Sequence, residues 1–544
     1  MNFGFRWAVA FVVVVLSIPL AWAAPPATIM LGMTDGTKLA TDYYLPQEGG
    51  PAWPVVVARS TYAKVLGRDR AERYNERGYV CVIQDTRGLG FSKGEKNVFH
   101  TDGWREGLRD GADTIAWVKS QPWCNGKIGT IGESALGMTQ VLMAPTVTDV
   151  ACQVIEVAPS NFYSDVVYQG GVWHKNLVEG WLTVLGLQKT ITIYKGHPAY
   201  DDFWPYYNAG AKASEIHLPG MHIGGWYDIF QQGTLDNFMT RQNQGGPGAK
   251  GNQKLIMKWS SHGRDDERNF KFNENRHDVK ISQLKEAFED YWLKGAQNGI
   301  MDPPAVRYYV MGDDTDPNAP GMEWRTADTW PPFATTETPY YFAANGLLST
   351  EAGTEPATAS FTYDPANPVP THGGANLLLP AGPFDQRTVS RGRADILKFA
   401  TPPLTSPIEA TGRITVKLYV STDAPDTDFT AKLLDIYPTG DGREIIVLDG
   451  IRRVKFRNGY EKPAPLLTSA EDVVELSIDL WSTSWIFNTN HRIGVDVSSS
   501  NYTRFEKNPN TGDDFPDPKN LRIAHNTVHI GKTHPSALIL PVPK

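Results

Sequence analysis

Short apolar runs rich in β-branched residues alternate with helical patterns between Pro54 and about His262. Each run is mostly apolar instead of alternating between apolar and polar residues, which is typical of strands buried on both faces. The segment 110–123 between two of these runs places its apolar residues at helical spacing. The alternation predicts a mostly parallel α/β sheet. The six runs are PVVVAR (54–59), YVCVIQD (79–85), KIGTIG (127–132), CQVIEVAP (152–159), GMHIGGW (220–226) and KLIMKWS (254–260).

The alternation is interrupted once. About sixty residues separate the fourth run from the fifth, far more than one crossover helix needs. This insertion is rich in aromatic residues, and part of them must serve packing. We predict that residues 160–214 form a helical cap over a pocket.

The alternation of strands and helices ends after FEDYWLKGAQNG (288–299), which we interpret as the last helix of the sheet domain. From about Pro304 onwards, strands recur without helices between them, which predicts an antiparallel sandwich of jelly-roll type. A chain of 544 residues is also too long for one core. The predicted domains are a core over 24–159 and 215–303, the cap over 160–214, and the sandwich over 304–544.

The first 23 residues have the features of a signal peptide. Arg6 precedes the apolar stretch AVAFVVVVLSIPL, and Ala21-Trp22-Ala23 is a small-x-small cleavage site. A membrane anchor is the alternative, although the apolar stretch is short for a span. We expect export to the periplasm or the medium, cleavage after Ala23, and no stable membrane insertion of the mature chain.

Charge and cysteine content exclude other classes. The net charge is −8 with scattered basic residues, which argues against a nucleic-acid partner. Three cysteines cannot form a disulfide scaffold. Cys81 lies inside an apolar run, whereas Cys124 and Cys152 precede neighbouring runs and could pair after export. The oligomeric state is left open by the sequence, with a homo-oligomer among the options.

Ser134 follows the run KIGTIG in a glycine-rich turn. Serine nucleophiles of α/β-hydrolases usually stand in Gly-x-Ser-x-Gly. Gly132 obeys that rule, but the second glycine, Gly137, comes one residue late. The motif alone therefore leaves two interpretations, a nucleophile on a strand-to-helix turn or an ordinary turn serine.

The order of three residues favours the nucleophile. Acyl transfer by a serine needs a histidine base and a carboxylate that orients it. In α/β-hydrolases these arrive in the order Ser, Asp or Glu, His, each just after a strand. Ser134, Asp228 and His262 follow three of the predicted strands in that order. Taken singly, Asp228 could be a helix N-cap and His262 a loop residue.

The sequence resembles the cocaine esterase and X-Pro dipeptidyl-peptidase-like hydrolases, called the CocE/NonD family, from about Thr34 to the C-terminus. The motifs that carry the resemblance are ARSTYAK (58–64), QDTRGLGFSKGE (84–95), QPWCNGKIGTIGESALG (121–137), GGWYDIF (224–230), KWSSHG (258–263), EWRTADTWPP (323–332), DTDFTAKLLDIYP (426–438), HRIGVDVSSSNYTRF (491–505) and NPNTG (508–512).

The resemblance implies roles for single residues. The family's turn has its second glycine three residues after the serine, as Gly137 is here, which makes Ser134 the nucleophile. Tyr62 matches the tyrosine that completes the oxyanion hole with the amide after the serine, here that of Ala135; a packed loop tyrosine is the alternative. Ala135 replaces the family's usual tyrosine, so one side-chain wall of the pocket is expected to be missing. Arg87 is expected to bind backbone or carboxylate groups.

For the substrate pocket we select three aromatic residues, Trp173, Trp181 and Trp226. Family members cleave acyl esters, α-amino acid esters, β-lactam amides or X-Pro peptides. The acidic cluster that holds an ammonium group in the amino-ester branch is partly absent, because Ala63 and Lys64 follow Tyr62. Asp201 and Asp202 could compensate, but local pairing is the simpler interpretation.

The sequence thus predicts an exported serine hydrolase whose partner is a small ester or amide, most simply an acyl esterase. The alternatives are an X-Pro dipeptidyl-peptidase or an α-amino acid ester or β-lactam acylase. An alternative from another class is a carbohydrate- or polymer-binding protein with an inert core. No cofactor is expected. No metal motif is present, and the acidic loops 312–321 and 511–518 are interpreted as solvated turns rather than calcium sites.

Overall fold

A computed structural model describes residues 26–263 and 267–544. The predicted signal peptide lies outside these residues. Within the described ranges, no helix combines the length and the apolar character needed to cross a membrane.

The secondary structure follows the sequence pattern closely. The strands are β1 (Ala27–Gly32), β2 (Lys38–Tyr44), β3 (Trp53–Ser60), β4 (Val80–Asp85), β5 (Cys124–Glu133), β6 (Cys152–Glu156), β7 (Tyr168–Gln169), β8 (Val172–Trp173), β9 (Gly220–Tyr227), β10 (Gln253–Ser261), β11 (Val306–Val310), β12 (Glu323–Ala327), β13 (Thr335–Phe342), β14 (Leu348–Ser349), β15 (Ala357–Tyr363), β16 (Leu397–Ala400), β17 (Ile408–Thr422), β18 (Asp428–Ile436), β19 (Glu444–Arg453), β20 (Val474–Phe487), β21 (Arg492–Ser498), β22 (Ala524–Ile530) and β23 (Ala537–Pro543). The helices are α1 (Arg68–Glu76), α2 (Asp110–Lys119), α3 (Ala135–Met143), α4 (Lys175–Val184), α5 (Gln188–Lys195), α6 (Gln231–Gln244), α7 (Ile281–Lys294) and α8 (Arg387–Ser390).

The first domain is built on a ten-stranded sheet in the order β1-β2-β4-β3-β5-β6-β9-β10-β11-β12. All neighbours from β4 to β11 are parallel, and the antiparallel strands stand at the two edges. The six predicted runs are β3, β4, β5, β6, β9 and β10. The predicted α/β fold class is confirmed, because strands buried on both faces need helices on both sides.

Two boundaries differ from the prediction. The sheet continues beyond residue 303, where the first domain was expected to end, because β11 pairs with β10 and β12 with β11. Strands that follow a last helix cannot be assigned to either sheet from local pattern alone. The predicted last helix, 288–299, also ends earlier, at Lys294, where Gly295 adopts the left-handed conformation (φ 72°) that stops a helix.

The cap lies between β6 and β9. It contains α4, α5, the small hairpin β7–β8 and one turn of π-helix, Tyr163–Val167. Its aromatic residues form a buried cluster that also includes Met138 and Val141 of α3. The aromatic insertion therefore packs on the helix that follows Ser134.

The second domain is a sandwich of two antiparallel sheets, as predicted. One sheet has seven strands, β14-β13-β23-β17-β22-β15 with β20 on β17, and the other has the order β16-β21-β18-β19. Residues from both sheets share one apolar cluster, which extends to β10 and β11 of the first domain. The two domains thus have a continuous core.

A buried charged network also joins the domains. Asp313, in the loop after β11, lies 3.2 Å from His491 Nε2, and Asp435 of β18 accepts from His491 Nδ1 at 2.8 Å. The two carboxylates outweigh the cost of burial and raise the pKa of His491 to about 9. Asp314 binds Arg443 and Tyr437. The start of the acidic loop 312–321 is therefore a buried junction, whereas residues 315–318 are exposed, as predicted from the composition.

The cysteines remain free thiols. Cys81 is fully buried in β4. In the strand register, Cys152 of β6 lies opposite Gly129 of β5. Cys124 lies at the start of β5, opposite Trp53 of β3. The strand register keeps these two thiols apart, so the disulfide considered from the sequence is not formed.

Candidate active site

Ser134, Asp228 and His262 are each the first residue after a strand. They follow β5, β9 and β10, three strands of the parallel sheet. Since parallel strands end at the same edge, the fold brings these three side chains together. The three residues selected from their order in the sequence therefore lie at one edge of the sheet.

Ser134 stands on a sharp turn between β5 and α3. Its backbone has φ 54° and ψ −122°, a strained conformation for a residue with a side chain. The Ser134 amide donates to the Glu156 carbonyl at 2.9 Å. A Cβ on Gly132 would approach Leu136 Cβ to 2.5 Å, and one on Gly137 would approach Ala158 Cβ to 2.8 Å. Both glycines are thus required for the close packing of α3, and the late second glycine fits this turn.

The three polar side chains form one hydrogen-bonded chain. His262 Nε2 lies 2.9 Å from Ser134 Oγ, and His262 Nδ1 lies 2.6 Å from Asp228 Oδ2. The other carboxylate oxygen of Asp228 accepts from the Phe230 amide at 2.6 Å. Asp228 is fully buried, so its carboxylate fixes the Nδ1–H tautomer and leaves Nε2 to accept from the serine hydroxyl.

Tyr62 reaches the serine from the loop after β3. Its hydroxyl oxygen accepts from Trp181 Nε1 at 3.1 Å and also interacts with the Ser134 side chain. Although 40 % of Tyr62 is exposed, the surroundings of the hydroxyl raise its pKa, chiefly through burial. Because the Tyr62 oxygen is the acceptor in its bond with Trp181, the phenolic hydrogen is not used in that contact.

A narrow apolar cavity opens at Ser134. Its volume is about 30 Å³, the room of two or three water molecules. The cap, α3 and the loop before α2 line it, together with Leu377 of the second domain. Within the described part of the chain, no carboxylate lines this cavity. The residues that line it are Phe99, Ser134, Ala135, Met138, Phe162, Val166, Val167, Leu177, Val178, Trp181, Leu182, Tyr194, Phe230 and Leu377.

Of the three tryptophans predicted to line the pocket, only Trp181 does so. Trp173 is buried, donates to Glu179 and contacts Tyr168 and Phe515. Trp226 is buried against Trp330 and donates to the Tyr309 carbonyl. Both are packing residues, because aromatic composition does not show which way a ring points.

Sequence reasoning missed most of the pocket lining. Phe99 and Phe162 are in edge-to-face contact (73°), and Phe99 stacks on Trp181. Leu377 comes from the distant sandwich. Apolar residues in the cap could have been proposed as lining, but nothing local marks Leu377.

The other polar candidates lie elsewhere. Asp201 accepts from His197 and the Phe203 amide, and Asp202 is exposed, so the cap pair is local as expected. Arg87 bridges Asp35 and Asp110, which confirms its structural role. In the second acidic loop, Asp514 pairs with Lys455. Among residues 26–263 and 267–544, no three His, Cys, Asp or Glu side chains are grouped as metal ligands would be.

Comparison with known proteins agrees with this architecture. Residues 35–195 and 186–264 match the X-Pro dipeptidyl-peptidase (S15) family, and residues 298–539 match the X-Pro dipeptidyl-peptidase C-terminal non-catalytic domain. The cocaine esterase of Rhodococcus sp. (strain MB1 Bresler) is 31% identical, with 95% of this chain and 98% of that protein covered.

Solved structures show the same fold over nearly the whole chain. An aminopeptidase from a marine sediment Thaumarchaeota archaeon has a TM-score of 0.81 at 22% identity, with 96% of each chain covered. An α-amino acid ester hydrolase has a TM-score of 0.77 at 24% identity, with 98% of this chain and 100% of the other covered.

The fold and these matches define a serine hydrolase with a capped α/β core and a C-terminal sandwich. The chain belongs to the CocE/NonD family of cocaine esterase and X-Pro dipeptidyl-peptidase-like enzymes.

Proposed function

We propose that Ser134 is the nucleophile of an acyl esterase, with His262 as its base and Asp228 as the residue that orients the histidine. The observation that carries this proposal is the hydrogen-bonded chain from Asp228 through His262 to Ser134, at the mouth of an apolar cavity. The strained backbone of Ser134 supports it, since nucleophiles on such turns project into the site.

The reaction would run in two halves. His262 Nε2 takes the serine proton while Oγ attacks the ester carbonyl, and the buried Asp228 stabilises the imidazolium that forms. The negative oxygen would be bound by the Tyr62 hydroxyl and the Ala135 amide. His262 then protonates the leaving alcohol, and water activated by the same histidine releases the acid.

The cavity favours a short, uncharged acyl group. Its wall is apolar, and its volume of about 30 Å³ accepts only a small group without movement of side chains. Peptidase and amino-ester chemistry is the second candidate, suggested by the X-Pro dipeptidyl-peptidase match. It would need a carboxylate for the substrate's ammonium, and within the described residues the cavity offers none.

Hydrolysis rates on a matched panel test the substrate class. We expect kcat/KM to be highest for p-nitrophenyl acetate to butyrate and to fall at least tenfold for the octanoate. Aminoacyl esters and X-Pro-anilides should be cleaved at least tenfold more slowly than the short acyl esters. A preference for an X-Pro-anilide or an aminoacyl ester would overturn the acyl-esterase assignment while leaving the serine mechanism intact.

We also propose export with cleavage after Ala23, on the basis of Arg6, the apolar stretch and the Ala-Trp-Ala motif. The secreted protein should begin at Ala24. N-terminal sequencing of protein from the periplasm or medium checks this, and an intact Met1 on the active protein would contradict it.

A further inference from the structure

A second cavity, of about 430 Å³, lies where the cap, helix α6 and the sandwich meet. The π-helical turn Tyr163–Val167 separates it from the cavity of Ser134. Val166 and Val167 line the active-site cavity, whereas Ser164 and Asp165 line the second one. The second cavity is polar, and the proposed hydrolysis uses none of its side chains.

Two residues at its wall carry buried donors that have no partner within the described part of the chain. Gln169 is 3 % exposed, and its Oε1 accepts from Arg504, but its Nε2 has no hydrogen-bond partner among the described residues. Arg452 donates to the Tyr460 hydroxyl and the Phe456 carbonyl through its terminal nitrogens, while its buried Nε is unpartnered in the same part of the chain. Both residues line the cavity. Buried donors without a partner are costly, and an acceptor on a bound molecule would offset that cost.

The same cavity is also lined by two carboxylates, Asp165 and Asp236, which make no short ion pair within the described part of the chain. Asp165 accepts from Ser164 Oγ at 2.7 Å and from the Asn161 amide at 3.0 Å. Asp236 accepts from Gln232, and the nearest nitrogen of Arg413 is 3.9 Å away. Burial raises the pKa of the Asp165 carboxyl to about 7, so this group can both donate and accept near neutrality.

The indole ring of Trp481 lines the cavity, and the backbone of this residue is strained. Trp481 has φ 72°, unusual for a bulky residue. It pairs with Ile414 at a register shift between β17 and β20, and such bulges re-aim side chains, often beside functional sites. The indole lines the cavity together with the rings of Tyr163, Tyr200 and Tyr460.

We propose that this cavity binds a saccharide of one or two rings. Sugar hydroxyls both donate and accept, which matches the unpartnered Gln169 and Arg452 donors and the two carboxylates, and sugar C–H faces pack on aromatic rings. A compact ion fits less well, because Arg413 is already held by Asp479 and the remaining contacts are spread over the wall. The proposal is independent of the role of Ser134.

Calorimetric titration of the full-length wild-type protein with cellobiose, maltose and glucose tests the proposal, with glycerol as a polyol without a ring. At least one saccharide should bind at least tenfold more tightly than glycerol. Affinity should be unchanged after Ser134 has been blocked with phenylmethanesulfonyl fluoride. Absence of saccharide binding, equal binding of glycerol, or loss of binding after sulfonylation would overturn the proposal.

Variants locate the site. Tyr200→Ala and Gln169→Leu should each weaken saccharide binding at least tenfold, the first by removing a ring and the second by removing the buried donor. Tyr206→Ala is the matched control, since Tyr206 lies in the same cap segment, is exposed and does not line the cavity. The thermal unfolding midpoint of Tyr200→Ala should stay near that of wild type, whereas that of Gln169→Leu should fall, because this change also removes the acceptor of the buried Arg504; both variants should be folded at the assay temperature. Equal losses in Tyr206→Ala and Tyr200→Ala would place the binding elsewhere.

Discussion

Replacement of Ser134 by alanine is expected to lower kcat by about 10⁶-fold, and His262→Ala by a similar factor, because members of a triad act as a unit. Asp228→Asn should cost about 10⁴-fold, since the amide no longer fixes the Nδ1–H tautomer on which the serine depends. Fully buried Asp228 and the 2.6 Å contact to His262 make this dependence strong. Rates are measured on p-nitrophenyl acetate.

The matched control uses a second histidine–aspartate pair. His197 Nδ1 lies 2.7 Å from Asp201 in the cap, and neither residue lines the cavity of Ser134. His197→Ala should therefore retain activity within about threefold. A fluorophosphonate should label Ser134 in wild type and His197→Ala but not in Ser134→Ala. If Ser134→Ala kept a tenth of wild-type activity, or if labelling occurred at another serine, the assignment of the nucleophile would fail.

Tyr62→Phe is expected to lower kcat by about 10² to 10³, or roughly 3–4 kcal/mol of transition-state stabilisation, with little change in KM. Loss of one preorganised oxyanion donor typically costs this much. The effect should fall on kcat because the bond strengthens only as negative charge develops on the carbonyl oxygen. The Trp181 N–H donates to the Tyr62 oxygen at 3.1 Å, so the phenolic hydrogen is not used in that contact.

The alternative for Tyr62 is a packing role, and it makes the opposite prediction. The phenylalanine ring would keep the edge contact with Trp181, so kcat would stay within about threefold of wild type. Tyr206→Phe controls for the loss of an exposed hydroxyl in the cap. Unchanged kcat in Tyr62→Phe would require the second oxyanion donor to be sought elsewhere.

Local patterns were sufficient for the sheet. The runs that became β3, β4, β5, β6, β9 and β10 are mostly apolar, as expected for strands that are covered on both faces. The spacing of Gly132 and Gly137 about Ser134 likewise reflects a local requirement, the close approach of α3 to its neighbours.

The sequence by itself also determined that Ser134, Asp228 and His262 would lie together. Each follows a strand, and parallel strands end at one edge of the sheet, so their meeting needs no knowledge of side-chain packing. The roles of the three residues remain predictions that the substitutions above test.

Only the tertiary structure decided which side chains form the cavities. Trp181 reaches the active site, whereas Trp173 and Trp226 pack elsewhere, because ring direction depends on contacts with distant elements. Leu377 of the second domain lines the cavity of Ser134, and β11 and β12 join the first sheet although they follow its last helix. These outcomes depend on contacts between residues that are far apart in the chain. The short sequence around each residue therefore does not predict them.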